Sequence, residues 1–69
     1  MRYTIENSGH IEHFKTMKAA KDAMLILGAG FYGVSDTKTN KKSLYLVICN
    51  GIMRIEWDYN LGVSIFEWI

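Results

Sequence analysis

This chain has 69 residues, of which 49% are hydrophobic and none is proline, and its formal net charge at pH 7 is +1. That composition excludes a disordered segment, and the near-neutral charge excludes a general polyanion binder, which needs a strongly basic surface. A single cysteine, Cys49, excludes an internal disulfide and is typical of a reducing compartment. No stretch approaches the roughly 20 apolar residues of a membrane span, and the charged N-terminus is unlike a signal peptide. We therefore expect a cytoplasmic protein without membrane association.

The first predicted element is a short strand over residues 2–6, with Tyr3 and Ile5 on one face. A turn is expected at 7–9. Residues 10–14, HIEHF, fit either a brief strand or an irregular approach to a helix, so both interpretations stay open.

One segment has the pattern of a good helix, and it covers residues 17–27. Thr16 is the expected N-cap, and Gly28 is the expected residue that ends the helix. Apolar residues at helical spacing predict the stripe that faces the sheet. They are Met17, Ala20, Ala23, Met24 and Leu27.

Four strands are predicted after the helix, separated by turn residues. They cover 31–36, 43–49, 52–58 and 63–68. Asn50-Gly51 predicts a type I′ hairpin turn, which sets Val47 opposite Arg54 and separates an apolar face from a mostly polar one. The expected fold is α+β, a β-α unit followed by a four-strand antiparallel meander, with one helix packed on one sheet face. We expect a single domain over residues 1–69.

The loop at 59–62 decides the register of the last strand. A loop of two or four residues sets Arg54 opposite Glu67 and Ile55 opposite Phe66. A loop of three residues would instead turn Glu67 into the core, so we expect the even-numbered loop, which buries Phe66 and Trp68 in the core and gives Glu67 a cross-strand partner.

An apolar strip on the sheet face away from the helix is the least ordinary predicted feature. Its expected contact core is Tyr45, Val47, Ile52, Val63 and Ile65, beside Cys49, and its expected rim is Arg54, Glu56 and Glu67. An apolar strip rimmed by charges is typical of a protein contact. The competing interpretation is that segment 10–14 lies across this face and covers it.

Six lysines support an alternative, which is binding of a nucleic acid or a signalling nucleotide. They lie on one helix edge and in the loop 36–42: Lys15, Lys18, Lys21, Lys38, Lys41 and Lys42. If the two groups converge they make a local basic patch, although a row of lysines along a helix is most often only a solvated face.

Other motifs are better explained by structure than by chemistry. The glycines of GAGFYG, residues 28–33, follow a helix and enter a strand, the reverse of the order in a dinucleotide-binding turn. His10 and His13 point to opposite faces if they lie on a strand, and Cys49 is remote, so no metal site is expected. The carboxylates of Glu56 and Glu67 lie on a flat face without a cleft. We expect no cofactor and no enzymatic activity.

The layout of the chain resembles a class of small phage-encoded proteins. The segments that carry the resemblance are the β-α unit RYTIEN…FKTMKAAKDAMLILG and the meander YGVSDTKTNKKSLYLVICNG. This arrangement is similar to the single-domain α+β proteins that bacteriophages encode against host defences, anti-CRISPR proteins among them. The resemblance implies a protein that binds a host protein stoichiometrically, or sequesters a signalling nucleotide, without catalysis, in the host cytoplasm.

Taken together, these patterns predict a small non-enzymatic protein-interaction module. Its partner is another protein, and we expect the chain itself to form a homodimer through the apolar strip or through the edge of the terminal strand. Such a module is consistent with an inhibitor that acts by occupying a host protein.

Overall fold

Six strands and one helix make up the computed structural model, which describes residues 1–69. They are β1 Tyr3–Asn7, β2 His10–Phe14, α1 Met17–Leu27, β3 Gly30–Asp36, β4 Lys41–Ile48, β5 Gly51–Asp58 and β6 Val63–Trp68. The strands form one antiparallel sheet in the order β2-β1-β3-β4-β5-β6, with the helix on one face. The α+β class is therefore confirmed. The expected four-strand meander is only part of the sheet, because β1 and β2 extend it to six strands.

Residues 10–14 form a regular strand at the edge of the sheet. Ser8 and Gly9 make the turn before it with φ values of 47° and 86°, so that Asn7 pairs with His10. The interpretation in which segment 10–14 lies across a sheet face is wrong, because β2 continues the sheet beside β1.

The helix begins and ends where the sequence predicts. The Thr16 hydroxyl accepts a hydrogen bond from the Ala19 amide at 3.2 Å, which satisfies one of the free amides of the first turn. The Gly28 amide donates to the Met24 carbonyl at 3.1 Å, and its φ of 106° ends the helix. The Tyr32 hydroxyl then ties β3 to this end by donating to the Gly28 carbonyl at 2.7 Å.

The core lies between the helix and the part of the sheet formed by β1, β3, β4 and the start of β5. Eight residues are buried: Ile5, Ala20, Met24, Tyr32, Val34, Tyr45, Val47 and Ile52. Both β2 and β3 are antiparallel to β1, so the helix that joins them crosses over β1. With 11 residues it is about 16 Å long, whereas the molecule extends 34 Å along its longest axis. The helix therefore covers only part of one sheet face.

The helix lies on the sheet face opposite to the expected one. Residues 44–48 are apolar at every position, so alternation within β4 does not say which side is buried. The pairing of the neighbouring strands decides it, since Ile5 lies opposite Val34 and Tyr32 lies opposite Tyr45. These residues share one face, and that face receives the helix.

The β4–β5 turn lies one residue earlier than predicted. Its central residues are Cys49 and Asn50, with φ values of 54° and 60°, and Gly51 is the first residue of β5. Val47 consequently pairs with Ile52, so the predicted pairing of Val47 with Arg54 is wrong. The register differs by two residues, which leaves the membership of each sheet face unchanged.

The register of the last hairpin is confirmed. Arg54 pairs with Glu67 and Ile55 pairs with Phe66 across a four-residue loop at 59–62. The Asp58 side chain holds this loop, because its Oδ1 accepts hydrogen bonds from the amides of Asn60 and Leu61 at 2.8 and 3.1 Å.

Candidate interaction surface

The sheet face away from the helix presents a large apolar surface. Alternation along β3, β4, β5 and β6 directs nine apolar side chains to it, and we call them the apolar open face. They are Phe31, Leu44, Leu46, Ile48, Met53, Ile55, Trp57, Phe66 and Trp68. No element of the chain packs over them, since the single helix occupies the other side.

Two cross-strand rows make this surface continuous. One row runs from Phe31 on β3 through Leu46 and Met53 to Trp68 on β6. The parallel row contains Leu44, Ile55 and Phe66. Directly opposite side chains on adjacent strands lie in contact, so the rows form one patch rather than isolated exposed residues.

The aromatic members of the apolar open face are about half exposed. Their exposed fractions lie between 50% for Phe66 and 59% for Phe31, with Trp57 and Trp68 between these values. At about 200 Å² for a whole aromatic side chain, the four rings present roughly 400 Å² to solvent. An apolar area of this size is in the range of the largest patch on a typical monomer, and such patches are often functional.

Gly51 allows Trp68 to lie flat on the sheet. A β-carbon at Gly51 would lie 2.8 Å from Cζ3 of the Trp68 ring, so any side chain there would displace the indole. Gly51 is thus needed for close approach rather than for the turn. This close approach places the Trp68 ring against β5 at one end of the apolar open face.

Polar side chains occupy most of the other half of the same sheet face, which also carries the exposed Ile11 on β2. Strand pairing places them together on β1, β2, the end of β3 and the start of β4: Thr4, His13, Ser35 and Lys42, with Glu6 beside them. Thr4 Oγ1 and His13 Nδ1 lie 2.9 Å apart. The apolar open face therefore has a polar border on the β1–β2 side.

The terminal strand β6 is exposed along its whole length. Each of its six residues is exposed, on both faces of the sheet, and it is the edge strand beside β5. The Ile69 amide donates to the Ile52 carbonyl at 3.0 Å, which extends the pairing to the last residue. An uncovered apolar edge strand is a surface that other chains bind readily.

Strands β4 and β5 separate at one end of the sheet. Their pairing ends at Leu44 and Ile55, after which β4 follows β3 and β5 follows β6. An open cleft of about 620 Å³ lies between the separated ends, with Lys42 on one wall and Trp57 on the other. Trp57 packs edge-on against Tyr59, with ring centroids 6.4 Å apart. The cleft gives the apolar open face a partly charged margin.

The structure corrects the contact core expected from the sequence. Tyr45, Val47 and Ile52 share one sheet face as predicted, but they lie under the helix and are buried. Burial raises the pKa of the Tyr45 phenol. These three side chains are not available to a partner of the folded chain. Their placement on an outer strip was wrong because the helix covers their side of the sheet.

The remaining predicted contact residues lie on the helix side of the sheet, in the part that the helix does not reach. Val63 and Ile65 are exposed on β6, on the same sheet side as the helix. Arg54 donates a hydrogen bond to Glu67 at 3.0 Å, and its Nε lies 3.4 Å from a Glu56 carboxylate oxygen. One guanidinium thus faces two carboxylates, which leaves the cluster with a formal charge of −1, and its role in an interface stays a prediction.

The six lysines do not all lie on one surface. Strand alternation places Lys41 on the helix side of β4 and Lys42 on the open side, where its Cε lies over Gly33. Lys18 forms an ion pair with Asp22 at 3.0 Å on the helix. The remaining three are Lys15 before the helix, Lys21 on it and Lys38 in the loop after β3. Lys41 and Lys42 are therefore divided between the two sides of the sheet, so the six lysines do not form one patch.

The potential metal ligands are dispersed. No group of three or more His, Cys, Asp or Glu side chains is close enough to hold a metal ion. His10 lies 3.3 Å from Glu12 on one side of the sheet, and His13 points to the other side. Cys49 is exposed in the β4–β5 turn.

Comparisons with known proteins provide no indication of function, so the surface of the chain itself is the basis for the proposal below. No protein-family model matches the chain, and neither does any curated protein or solved structure. The structure contains no helix with the length and apolar character needed to cross a membrane. The apolar open face is its most unusual property.

The sequence interpretation assigned these side chains, except Phe31, to the core and so missed them as a surface. The signal lay in the run LYLVI of β4, at 44–48, where both parities are apolar. A strand of that kind needs cover on both faces. One helix of 11 residues covers only one of them.

Proposed function

We propose that this chain is a small non-enzymatic protein-interaction module that binds another protein through the apolar open face. The single observation that carries the proposal is the continuous patch of nine apolar side chains on the sheet face that the helix leaves bare. Exposed patches of this extent, bordered by polar residues, mark protein contacts.

The shape of the surface favours a protein over a small molecule. A small-molecule site is a concave pocket that encloses most of its ligand, whereas the apolar open face is one side of a sheet. Its flat rows of aromatic and aliphatic side chains suit a partner that presents an equally broad apolar surface. Aromatic residues and methionine are enriched at such interfaces, and Phe31, Met53 and Trp68 lie in one row here.

The resemblance to small phage-encoded anti-defence proteins supports binding without catalysis. Proteins of that class typically act by occupying a host protein. We therefore propose an inhibitor that binds a host protein in the cytoplasm, with the apolar open face in place of the strip predicted from the sequence.

Binding of a nucleic acid or a signalling nucleotide is the alternative, and the distribution of lysines supports it less. Phosphate contacts require several cations on one surface, and here Lys41 and Lys42 point to opposite sides of the sheet. If the alternative holds, binding to a single-stranded oligonucleotide will weaken steeply as salt is added, because each phosphate contact releases counterions.

Two neighbouring residues on β6 provide the test of the proposal. Phe66 lies on the open side and is 50% exposed, whereas Ile65 lies on the helix side and is 42% exposed. We expect Phe66→Asp to abolish capture of partner proteins by the tagged chain in cell extract, because it places a charge inside an apolar contact. We expect Ile65→Asp to capture the same proteins as the parent.

Circular dichroism spectra of both variants serve as the control for folding. If Phe66→Asp is folded and captures the same proteins in the same amounts as the parent, the apolar open face is not the binding surface. If only Ile65→Asp loses them, the partner binds on the helix side instead.

A further inference from the structure

We infer that the apolar open face is covered by a second copy of this chain, packed sheet against sheet with the two helices outside. The inference rests on the proposed function and names the partner of that surface. Three observations carry it, which are the area of the face, its chemistry and the lack of support for β6.

The area of the face matches what a stable dimer needs. The four aromatic rings of each copy offer roughly 400 Å², so a pair of copies buries about 800 Å² from these rings alone. Five aliphatic side chains on each copy add to this, which brings the total toward the 1,200 Å² or so of the smaller stable interfaces. Two sheets stack at a separation of about 10 Å, with side chains of the facing rows interdigitated.

The chemistry of the face is that of a contact between identical chains. None of its nine side chains is charged, and polar residues begin only at its border. Interfaces of obligate homodimers are the most apolar class and resemble a core cut in half, whereas transient partners meet through more polar surfaces. A two-fold axis near Met53, in the central strand of the patch, sets each row against the same surface of the other copy.

The exposure of β6 gives a reason for a second copy to cover the face whenever no other partner is bound. Every residue of β6 is exposed, and β5 is its only neighbour in the sheet. A two-stranded hairpin without cover is marginally stable, and only eight of the 69 residues of this chain are buried. The one partner always made together with the chain is another copy of it. Stacking of the two faces buries Phe66 and Trp68 and holds β6 in the sheet.

The molar mass in solution, measured by sedimentation over a range of protein concentrations, tests the inference. We expect a species of twice 7.9 kDa for the parent. Phe66→Asp is expected to weaken the dimer at least about 100-fold, because each dimer then buries two uncompensated carboxylates. Ile65→Asp, on the other side of the same strand, is expected to remain dimeric.

A second variant distinguishes loss of the dimer from a folding defect of Phe66→Asp. Trp57→Asp changes a half-exposed side chain on β5 rather than on the edge strand and is expected to weaken the dimer in the same way. The parent is also expected to melt at a higher temperature as its concentration rises, because association stabilises the folded state.

The remaining outcomes separate this inference from the proposed function. A parent that stays monomeric but captures another protein, with capture lost in Phe66→Asp, overturns the second copy and leaves the binding surface in place. A dimer that survives both Phe66→Asp and Trp57→Asp uses another surface and overturns the inference. If capture survives both variants as well, the proposed function fails with it.

Discussion

Arg2 and Asp36 form the most specific charged contact in the molecule. Two parallel hydrogen bonds join the guanidinium to the carboxylate, from Nε to Oδ1 at 3.0 Å and from Nη2 to Oδ2 at 2.9 Å. The amide of Lys38 also donates to Asp36 at 2.9 Å, and the guanidinium lies 4.9 Å from the centre of the Tyr3 ring. Such two-point geometry fixes the start of the chain against the end of β3.

This contact predicts a defined acid dependence of stability. The hydrogen bonds from Arg2 are the main reason that the pKa of Asp36 falls from 3.8 to about 2. A lowered folded-state pKa contributes stability that is fully present above pH 3.8 and is lost as the pH falls toward about 2. We expect the difference in unfolding midpoint between the parent and Arg2→Met to stay constant as the pH falls to 3.8. Between pH 3.8 and about pH 2 the difference should shrink. Urea unfolding at a series of pH values measures it, and a difference that does not change with pH would contradict this account.

Individual residues also show where prediction from sequence reached its limit. Asn50-Gly51 is the strongest short hairpin signal, yet the turn uses Cys49 and Asn50 instead. The residue types of the turn alone could not locate the turn. Gly51 is in close contact with the Trp68 ring, which is distant in sequence, and this contact accounts for a glycine at the start of β5.

The helix is the element whose packing determines the fold of this small domain. Ala20 and Met24 are fully buried against the sheet, whereas Ile26, two residues after Met24 and on the opposite side of the helix, is 85% exposed. The helix is attached by this narrow stripe, and at its C-terminal end the Tyr32 hydroxyl of β3 donates a hydrogen bond to the Gly28 carbonyl. The packing of Met24 therefore contributes a large part of the stability.

We expect Met24→Ala to lower the free energy of unfolding by about 2–5 kcal/mol, because it leaves a cavity at the centre of the core. Ile26→Ala is the matched control and should change this free energy by less than about 0.5 kcal/mol, since Ile26 touches little. Urea unfolding of both variants beside the parent measures the difference. Equal losses from the two substitutions would mean that the helix is not packed on this stripe.

At the level of elements, strong local patterns were predictable and the choice of face was not. The helix bounds and the Arg54–Glu67 register followed from capping residues and loop length. The division of side chains between the two faces was also predictable, because it depends only on alternation. Which face the helix covers depends on the partners of β1 and β3, and the pairing of Tyr32 with Tyr45 is not visible in either segment alone.

As a whole molecule, the protein is a sheet with one covered face and one bare face. Its core of eight residues is small even for 69, and its largest apolar surface lies outside that core. Domains of this size are close to the lower limit of independent folding. Association through the apolar open face would bury apolar side chains that the single chain leaves exposed. The same surface would then contribute both to binding and to the stability of the fold.

The proposed function class follows in part from the sequence, whereas the proposed binding surface does not. An excess of apolar residues on both strand parities already predicted a protein contact, and the bare sheet face supports the same proposal. The residues differ because Tyr45, Val47 and Ile52 lie under the helix, whereas Phe66 and Trp68, expected in the core, are exposed. Only the three-dimensional pairing of the strands distinguishes the two sets.

Both tryptophans of the chain lie on the apolar open face, so their accessibility reports directly on whether that face is covered. Trp57 and Trp68 are 53% and 57% exposed in the single chain. We predict that acrylamide quenches their fluorescence weakly at high protein concentration, and strongly after dilution or in Phe66→Asp. Strong quenching at every concentration, in a sample whose molar mass is that of a dimer, would contradict the central claim that the apolar open face is the binding surface.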